Sequence, residues 1–453
     1  MAVSVLRTKR GLVKPWKETP LTTLDLSVID RLPVLRCNAQ TLHVFKHGPQ
    51  ATRVIKEALS KALVPYYPLA GRLKESQLGC LQIECSGDGV WYVEASSDCT
   101  LHSLNFFDDV HSIPYHHLLP DAVPETQPLV QMQVYSNISF SPYIFLDSSS
   151  LTMNEVLNFD FLQVTQFACG GFVIGLIFCH SICDGLGAAQ FLNAVGELAR
   201  NLEKPSIEPV WHRNFFPSSQ ITALPPTPLA PPEMPEYKLH HANIDMPLDQ
   251  INRLKREFQQ VTGLNCSTFE IVAAACWASR TRAVRFEPNT ELKLVFFANC
   301  RQLLDPALPN GFYGNCFFPV TMTASCESLR NATTVGVVKL IQEAKAKLGV
   351  EFDRYLKGEH LKNGEDPFAP PLTYTTLFVS EWGRLGFNHV DYQWGPPVHV
   401  VPIQGSSIIP VAIVGSMPLP SKGIRLMTWC VEEPHRVPFL HEMHGVMNEG
   451  LSM

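Results

Sequence analysis

Phe172-Val-Ile-Gly-Leu-Ile-Phe-Cys-His-Ser-Ile-Cys-Asp-Gly-Leu-Gly187 joins an uncharged run to a histidine, and its reading decides the fold. The run Phe172 to Cys179 is continuously apolar, as in a strand buried on both faces, and it stops at His180. Asp184, Gly185 and Gly187 then turn the chain. From there Ala188, Phe191, Leu192, Val195 and Ala199 recur at the spacing of one buried helix face. A strand therefore delivers His180 to its own end, held from behind and open in front. That setting suits proton transfer.

Other readings of His180 compete with this one. An isolated histidine in an apolar run is more often a core residue with one satisfied hydrogen bond, and the residues alone leave that reading open. A metal site needs three or four ligands, and His180 with Asp184 supplies at most two. Nucleophilic hydrolase chemistry would want a Gly-x-Ser-x-Gly elbow, which the chain lacks. A lone histidine acting as general base remains.

The chain of 453 residues is long enough for two domains with separate cores. Its net charge is −6 with no basic block, which argues against a nucleic-acid partner. The thirteen cysteines form no C-x-x-C pair, and the N-terminus has no secretory pattern, so we expect reduced thiols in a cytoplasmic protein. Cys169 to Cys179 is too short to span a bilayer.

Along the chain, Gln50 to Leu63 reads as an amphipathic helix ending before Pro65. Tyr67-Pro-Leu-Ala-Gly-Arg72 reads as a tight turn with a buried arginine. Leu81–Cys85 and Val90–Glu94 alternate like strands around Ser86-Gly-Asp-Gly89, a hairpin signal. His111, His116 and His117 are taken as surface histidines. Prolines crowd residues 205–235, which predicts a stiff connector between residues 1–204 and 236–453. Beyond it, helices are expected at Leu248–Gln259, at Ser267–Arg280 with a Ser267-Thr-Phe-Glu270 capping box, and at Leu329–Leu348. Leu292–Ala298 and Thr373–Val379 read as strands. His441-Glu-Met-His444 lacks the spacing of a metal-binding His-Glu-x-x-His and reads as a solvated helix face.

His180-Ser-Ile-Cys-Asp184-Gly185 resembles the H-x-x-x-D-G motif of the plant BAHD acyltransferases, and Asp391-Tyr-Gln-Trp-Gly395 resembles their D-F-G-W-G. Leu26-Ser-Val-Ile-Asp30, Tyr67–Arg72 and Phe312-Tyr-Gly-Asn315 are also similar to family stretches, in the family's order over nearly the whole chain. Leu26–Asp30 reads equally well as a strand end with an Asx turn. The resemblance implies an α/β fold: two similarly built domains of chloramphenicol-acetyltransferase-like topology, mixed sheets flanked by helices, joined by a long crossover at 205–235. It implies an acyltransferase in which His180 serves as general base and acyl-CoA is a co-substrate, with no permanently bound cofactor and no metal. The acceptor would be a small-molecule alcohol, or an amine, reached through a channel open from both faces. The protein would act as a monomer in plant specialised metabolism. Within the family the stretch around His180 looks most like taxane, benzyl-alcohol and ω-hydroxy-acid acyltransferases.

The same resemblance gives roles to other residues. Asp184 would point away from His180 and form a buried bidentate pair with Arg301, with Gly185 completing the turn. Asp391, Trp394 and Gly395 would support the coenzyme side, and Ser380 and Trp382 would line it. Gln393 stands where the motif has glycine, which matters if that position needs positive φ.

Val134–Gln163 reads as an insertion. Its flanks, Pro128-Leu-Val-Gln-Met-Gln133 and Val164-Thr-Gln-Phe-Ala-Cys-Gly-Gly171, join into one strand pattern similar to the family's own. The stretch begins Val-Tyr and ends Phe-Leu-Gln, residues that an in-frame GT…AG intron could encode. A genuine loop is the alternative, at modest entropic cost. Inside a strand, though, it would have to bulge or break the pairing.

Overall fold

The computed structural model describes residues 4–32, 35–76, 80–109, 113–121, 157–158, 160–215, 236–359, 366–402 and 409–450. Among these, two six-stranded mixed sheets carry the molecule. The first runs β1 (Val5–Val13), β6 (Val90–Ser97), β8 (Asp160–Phe167), β9 (Phe172–Cys179), β3 (Asn38–Phe45) and β14 (His399–Pro402). The second runs β10 (Leu239–Pro247), β16 (Gly423–Glu432), β15 (Val411–Ser416), β13 (Thr376–Glu381), β11 (Glu291–Asn299) and β12 (Phe317–Ser325). A smaller four-stranded sheet holds β2 (Thr22–Asp25), β5 (Leu81–Cys85), β4 (Arg72–Glu75) and β7 (Leu157–Asn158).

β9 lies between β8 and β3, antiparallel to both, and its sequence is apolar without alternation because both faces are covered: Phe172, Ile174, Leu176 and Phe178 enter one core, Val173 and Ile177 another. Helices α1 (Ala51–Ala62) and α3 (Gly185–Ala199) close the core of this first sheet. The short α2 (Tyr115–Leu118) carries an exposed His116 and a half-buried His117; His111 lies outside the described residues. In the second half, α4 (Leu248–Thr262), α5 (Thr268–Val284), α7 (Thr334–Leu356) and α8 (Glu433–Glu449) bury Ile251, Trp277, Val338 and Phe439 against one sheet face. The capping box of α5 is formed: Glu270 N donates to Ser267 Oγ at 3.2 Å, and Ser267 N to Glu270 Oε2 at 2.8 Å. His441 and His444 lie exposed on α8.

Three expectations are corrected. Leu81–Cys85 and Val90–Glu94 are strands but not a hairpin, since β5 pairs with β2 and β4 while β6 pairs with β1 and β8. β5 pairs with the strand just before it, β4, and β6 crosses into the first sheet, so the Ser86–Gly89 link joins two sheets rather than two paired strands. The helix expected at Leu329–Leu348 is two, α6 (Cys326–Asn331) and α7, each started by its own cap from Ser325 or Thr333. Finally, β14 comes from the second half of the chain yet pairs with β3 in the first sheet. Phe387, Val390 and Tyr392 likewise enter the first core.

Residues 134–156 and the connector residues 216–235 lie outside the described residues. The end of the suspected insertion does not. Asp160–Gln163 belong to β8, and Gln163 is fully buried, donating to His117 O at 2.7 Å and accepting from Arg7 at 3.0 Å. The strand is continuous, with no break at the expected junction before Val164.

Candidate active site

His180 sits one residue past β9, where its backbone N–H donates to Cys37 O at 2.8 Å. The imidazole is half-buried, with Nδ1 turned inward and without a hydrogen-bond partner. Phe178 and Phe317 flank it, each with ring centres 6.2 Å away. Burial lowers its pKa below the ordinary 6.5, outweighing the upward pull of its own backbone, Asp184, Asn315 and Asp30. At neutral pH the ring is therefore uncharged and able to accept a proton.

Asp184 does not reach the imidazole. Its Oδ1 accepts from Gly187 N at 3.0 Å, capping α3, and its Oδ2 accepts from Cys316 N at 3.4 Å. Arg301 Nη2 lies 2.8 Å from both carboxylate oxygens. The pair is buried, but it is not the fork-on-fork arrangement expected. One nitrogen straddles the carboxylate, because Arg301 Nη1 turns to Asn299 Oδ1 at 3.2 Å and Nη2 also donates to Gly314 O at 2.6 Å. Gly187 has a steric reason to be glycine: a Cβ there would lie 2.0 Å from Tyr313 O.

Ser181 and Cys183 are poor nucleophiles as placed. Ser181 is fully buried with Oγ donating to Leu35 O at 2.9 Å, and Cys183 is buried at 5% exposure.

A second buried network was not legible in the sequence. The Asx turn of Ser27 and Asp30 is present, yet Asp30 is 0% exposed and faces Arg213, with Nη1 3.2 Å from Oδ2. Asn315 Nδ2 donates to Asp30 Oδ1 and to His180 O, both at 2.8 Å. Arg213 also donates to Ile182 O at 2.7 Å and stacks over Trp211, 4.1 Å from its ring centre. A Cβ on Gly314 would lie 1.1 Å from Arg213 Nη1, so that glycine makes room for the guanidinium. Phe312–Asn315 carried a signal through the family resemblance; Arg213, beside the proline-rich connector, carried none. Arg72 is buried as expected, donating to Gly71 O and Gly89 O.

The Asp391–Gly395 loop packs on the first domain, away from His180. Asp391 Oδ1 accepts from Gln393 N and Gly395 N, each at 2.8 Å, and Arg200 donates to Asp391 O. Trp394 meets Phe172 edge-on at 5.8 Å. Gln393 has φ of 84°, the left-handed region that glycine tolerates and glutamine resists. The loop keeps its shape and glutamine carries the strain. We expect Gln393→Gly to stabilise the protein by about 0.5–1 kcal/mol, the relief of strain less the entropy glycine adds to the unfolded chain. Chemical denaturation reads this directly, and an unchanged or lower midpoint would discard the strain.

Ser380 is exposed at the end of β13, where its Oγ accepts from Trp382 Nε1 at 3.1 Å. A cavity of about 580 Å³ is lined by Leu186, Gln190, Arg301, Phe312 and Leu385, with His180 not among its lining residues. Among the described residues no cluster of three or more His, Cys, Asp or Glu is placed to hold a metal, and no helix is long and apolar enough to cross a membrane.

The chain belongs to the plant BAHD acyltransferase family: the model of the Transferase family matches residues 3–136 and 153–429. Acyl transferase 4 of Oryza sativa subsp. japonica is 42% identical over 468 aligned residues, covering 98% of this chain and 99% of that protein. Among solved structures, vinorine synthase superposes with a TM-score of 0.70 at 20% identity, covering 99% of this chain and 100% of its own. TRI101 of F. graminearum, complexed with ethyl coenzyme A, gives 0.68 at 14% identity, covering 92% and 96%. The chain is an acyltransferase by family, and its fold is that of these structures.

Proposed function

We propose that the protein transfers an acyl group (acetyl, benzoyl or hydroxycinnamoyl) from a coenzyme A thioester directly to a hydroxyl of a hydrophobic plant metabolite. The observation that carries this is the commitment of Asp184 to Arg301 and to α3, which leaves His180 as a base without a carboxylate partner. Neutral His180 takes the proton of the acceptor hydroxyl as its oxygen attacks the thioester carbonyl. The tetrahedral intermediate collapses, the C–S bond breaks, and the coenzyme A thiolate takes the proton back from the imidazolium. Ser181 and Cys183 are spoken for or buried, so no acyl-enzyme is needed, and donor and acceptor meet in a ternary complex.

The testing experiment is a panel of acyl-CoA donors and alcohols, with amines as a second arm, followed by free-thiol release. Turnover with alcohols supports the proposal, and turnover with amines alone would make it an N-acyltransferase. Binding of acyl-CoA without turnover would favour a catalytically impaired binding protein, the reading to which the strained Gln393 lends weight. Because the His180 pKa is lowered, the acid limb of kcat/KM should have its midpoint below about 6.5, with the rate falling as His180 is protonated. A midpoint above that value would contradict a buried imidazole base.

Residues 134–163 are proposed to be a retained intron, outside the working enzyme. The family match leaves out residues 137–152 of this stretch and takes in 134–136 and 153–163. Excision would bring Gln133 to the β8 position of Gln163 and Met132 to that of Leu162, preserving the glutamine and the apolar character. Deleting 134–163 should raise soluble yield and activity. Loss of folding on deletion, or the ninety nucleotides in all mature message, would sink the idea.

A further inference from the structure

Phe297 on β11 is 44% exposed and lies two ring contacts from the reacting histidine. Its neighbours explain its direction. Leu292, Leu294 and Phe296 point into the helix-covered core of the second sheet, so Phe297 and Asn299 point to the other face. On that face Phe297 meets Phe317 of β12 edge-on at 5.3 Å, and Phe317 meets the His180 imidazole edge-on at 6.2 Å. On the other side, β11 pairs with β13 from Lys293 and Thr376 to Val295 and Phe378, so Phe297 lies just past the paired stretch, toward the Ser380 end of β13. Trp382, hydrogen-bonded to Ser380, continues the surface.

A row of aromatic groups thus leads from the imidazole through Phe317 to Phe297, with successive ring centres 6.2 and 5.3 Å apart. Its outer phenylalanine gains little from folding while it stays exposed. A flat ring laid against it would remove apolar area from water and extend the edge-on series begun by His180, Phe317 and Phe297. An open phenylalanine two ring contacts from a proton acceptor is placed to meet a substrate ring.

We infer that Phe297, with Phe317, is a specificity-determining surface that takes an aromatic ring of the substrate, attached close to the reacting carbonyl or hydroxyl. This rests on the acyl-transfer reading of the same site. The ring can belong to the acyl group or to the acceptor, and two pairs of co-substrates separate the sources: benzoyl-CoA against acetyl-CoA with one alcohol, and benzyl alcohol against hexanol with one donor.

The measurement is the ratio of kcat/KM for the ring-bearing member to that for its ringless partner, in the wild type and in Phe297→Ala, Phe297→Leu and Phe297→Tyr. Phe297→Ala should lower the ratio about tenfold in one pair, through KM more than kcat. Phe297→Leu, which keeps apolar bulk without a ring, should lower it nearly as far, and Phe297→Tyr should restore it. A fall in the first pair assigns the ring to the donor, and a fall in the second assigns it to the acceptor. Thermal unfolding of the variants checks that the exposed substitution leaves the fold intact. Equal losses on all co-substrates, or an unchanged ratio in both pairs, overturns the inference while leaving acyl transfer standing. A wild type that releases no thiol from any donor overturns acyl transfer itself and the inference with it.

Discussion

Replacing His180 by alanine should reduce acyl transfer by on the order of 10²–10⁴-fold while leaving folding and coenzyme A binding in place. The size follows from what a positioned general base supplies; the remaining acceleration comes from alignment of two bound substrates and stabilisation of the oxyanion, neither of which the substitution removes. The fold should tolerate the change because the strand end is held by other groups. His180 contributes its backbone N–H to Cys37 O and its carbonyl to Asn315, and alanine keeps both. Removing the ring also removes a buried Nδ1 that has no partner, so little stability depends on it. The check is single-turnover thiol release alongside a coenzyme A binding isotherm. Activity within a few fold of wild type would take the base role away from His180, and a burst of acyl-enzyme in the parent would replace direct transfer altogether.

Arg301→Ala should be the most damaging change for stability, by about 3–5 kcal/mol, because it strands Asp184 as a buried charge. Both side chains are only about a tenth exposed, at 12% and 11%, so solvent cannot take over the pairing. The loss should appear as low soluble yield and a depressed unfolding midpoint, with any surviving protein still active. Asp184→Asn should be milder, since its amide oxygen can still cap Gly187 N. Combining Asp184→Asn with Arg301→Met should recover much of the loss, because removing both charges leaves neither unpaired. An Asp184→Asn protein that is stable, soluble and inactive would point the other way, to a carboxylate that orients the imidazole.

These two residues also mark where the sequence stops being informative. The strand–turn–helix around His180 is a local pattern, and uninterrupted apolar character, glycines and a 3.6-residue period suffice to predict it. The same holds for α1, α4 and the capping box of α5, whose determinants lie within four residues of one another. The pairing of Asp184 with Arg301 was foreseen only through family resemblance, since 117 residues separate them. Its geometry was not foreseen, because Asn299 and Gly314 compete for the guanidinium.

What tertiary structure alone decided is of one kind: the choice among distant partners. The turn at Ser86–Gly89 looks like a hairpin, but β5 pairs with β2 and β4 while β6 pairs with β1 and β8, so the two part into different sheets. β14 leaves its own half because the exposed edge of β3 offers a ladder that no local segment fills. Asp30 and Asn315 stand in stretches that resemble the family and Arg213 in none, and the three become an enclosed network only when remote segments converge behind His180. Phe297 shows the same limit from the opposite side: strand alternation determines that it faces away from Phe296, but only the packed sheets decide that this direction leads to the imidazole.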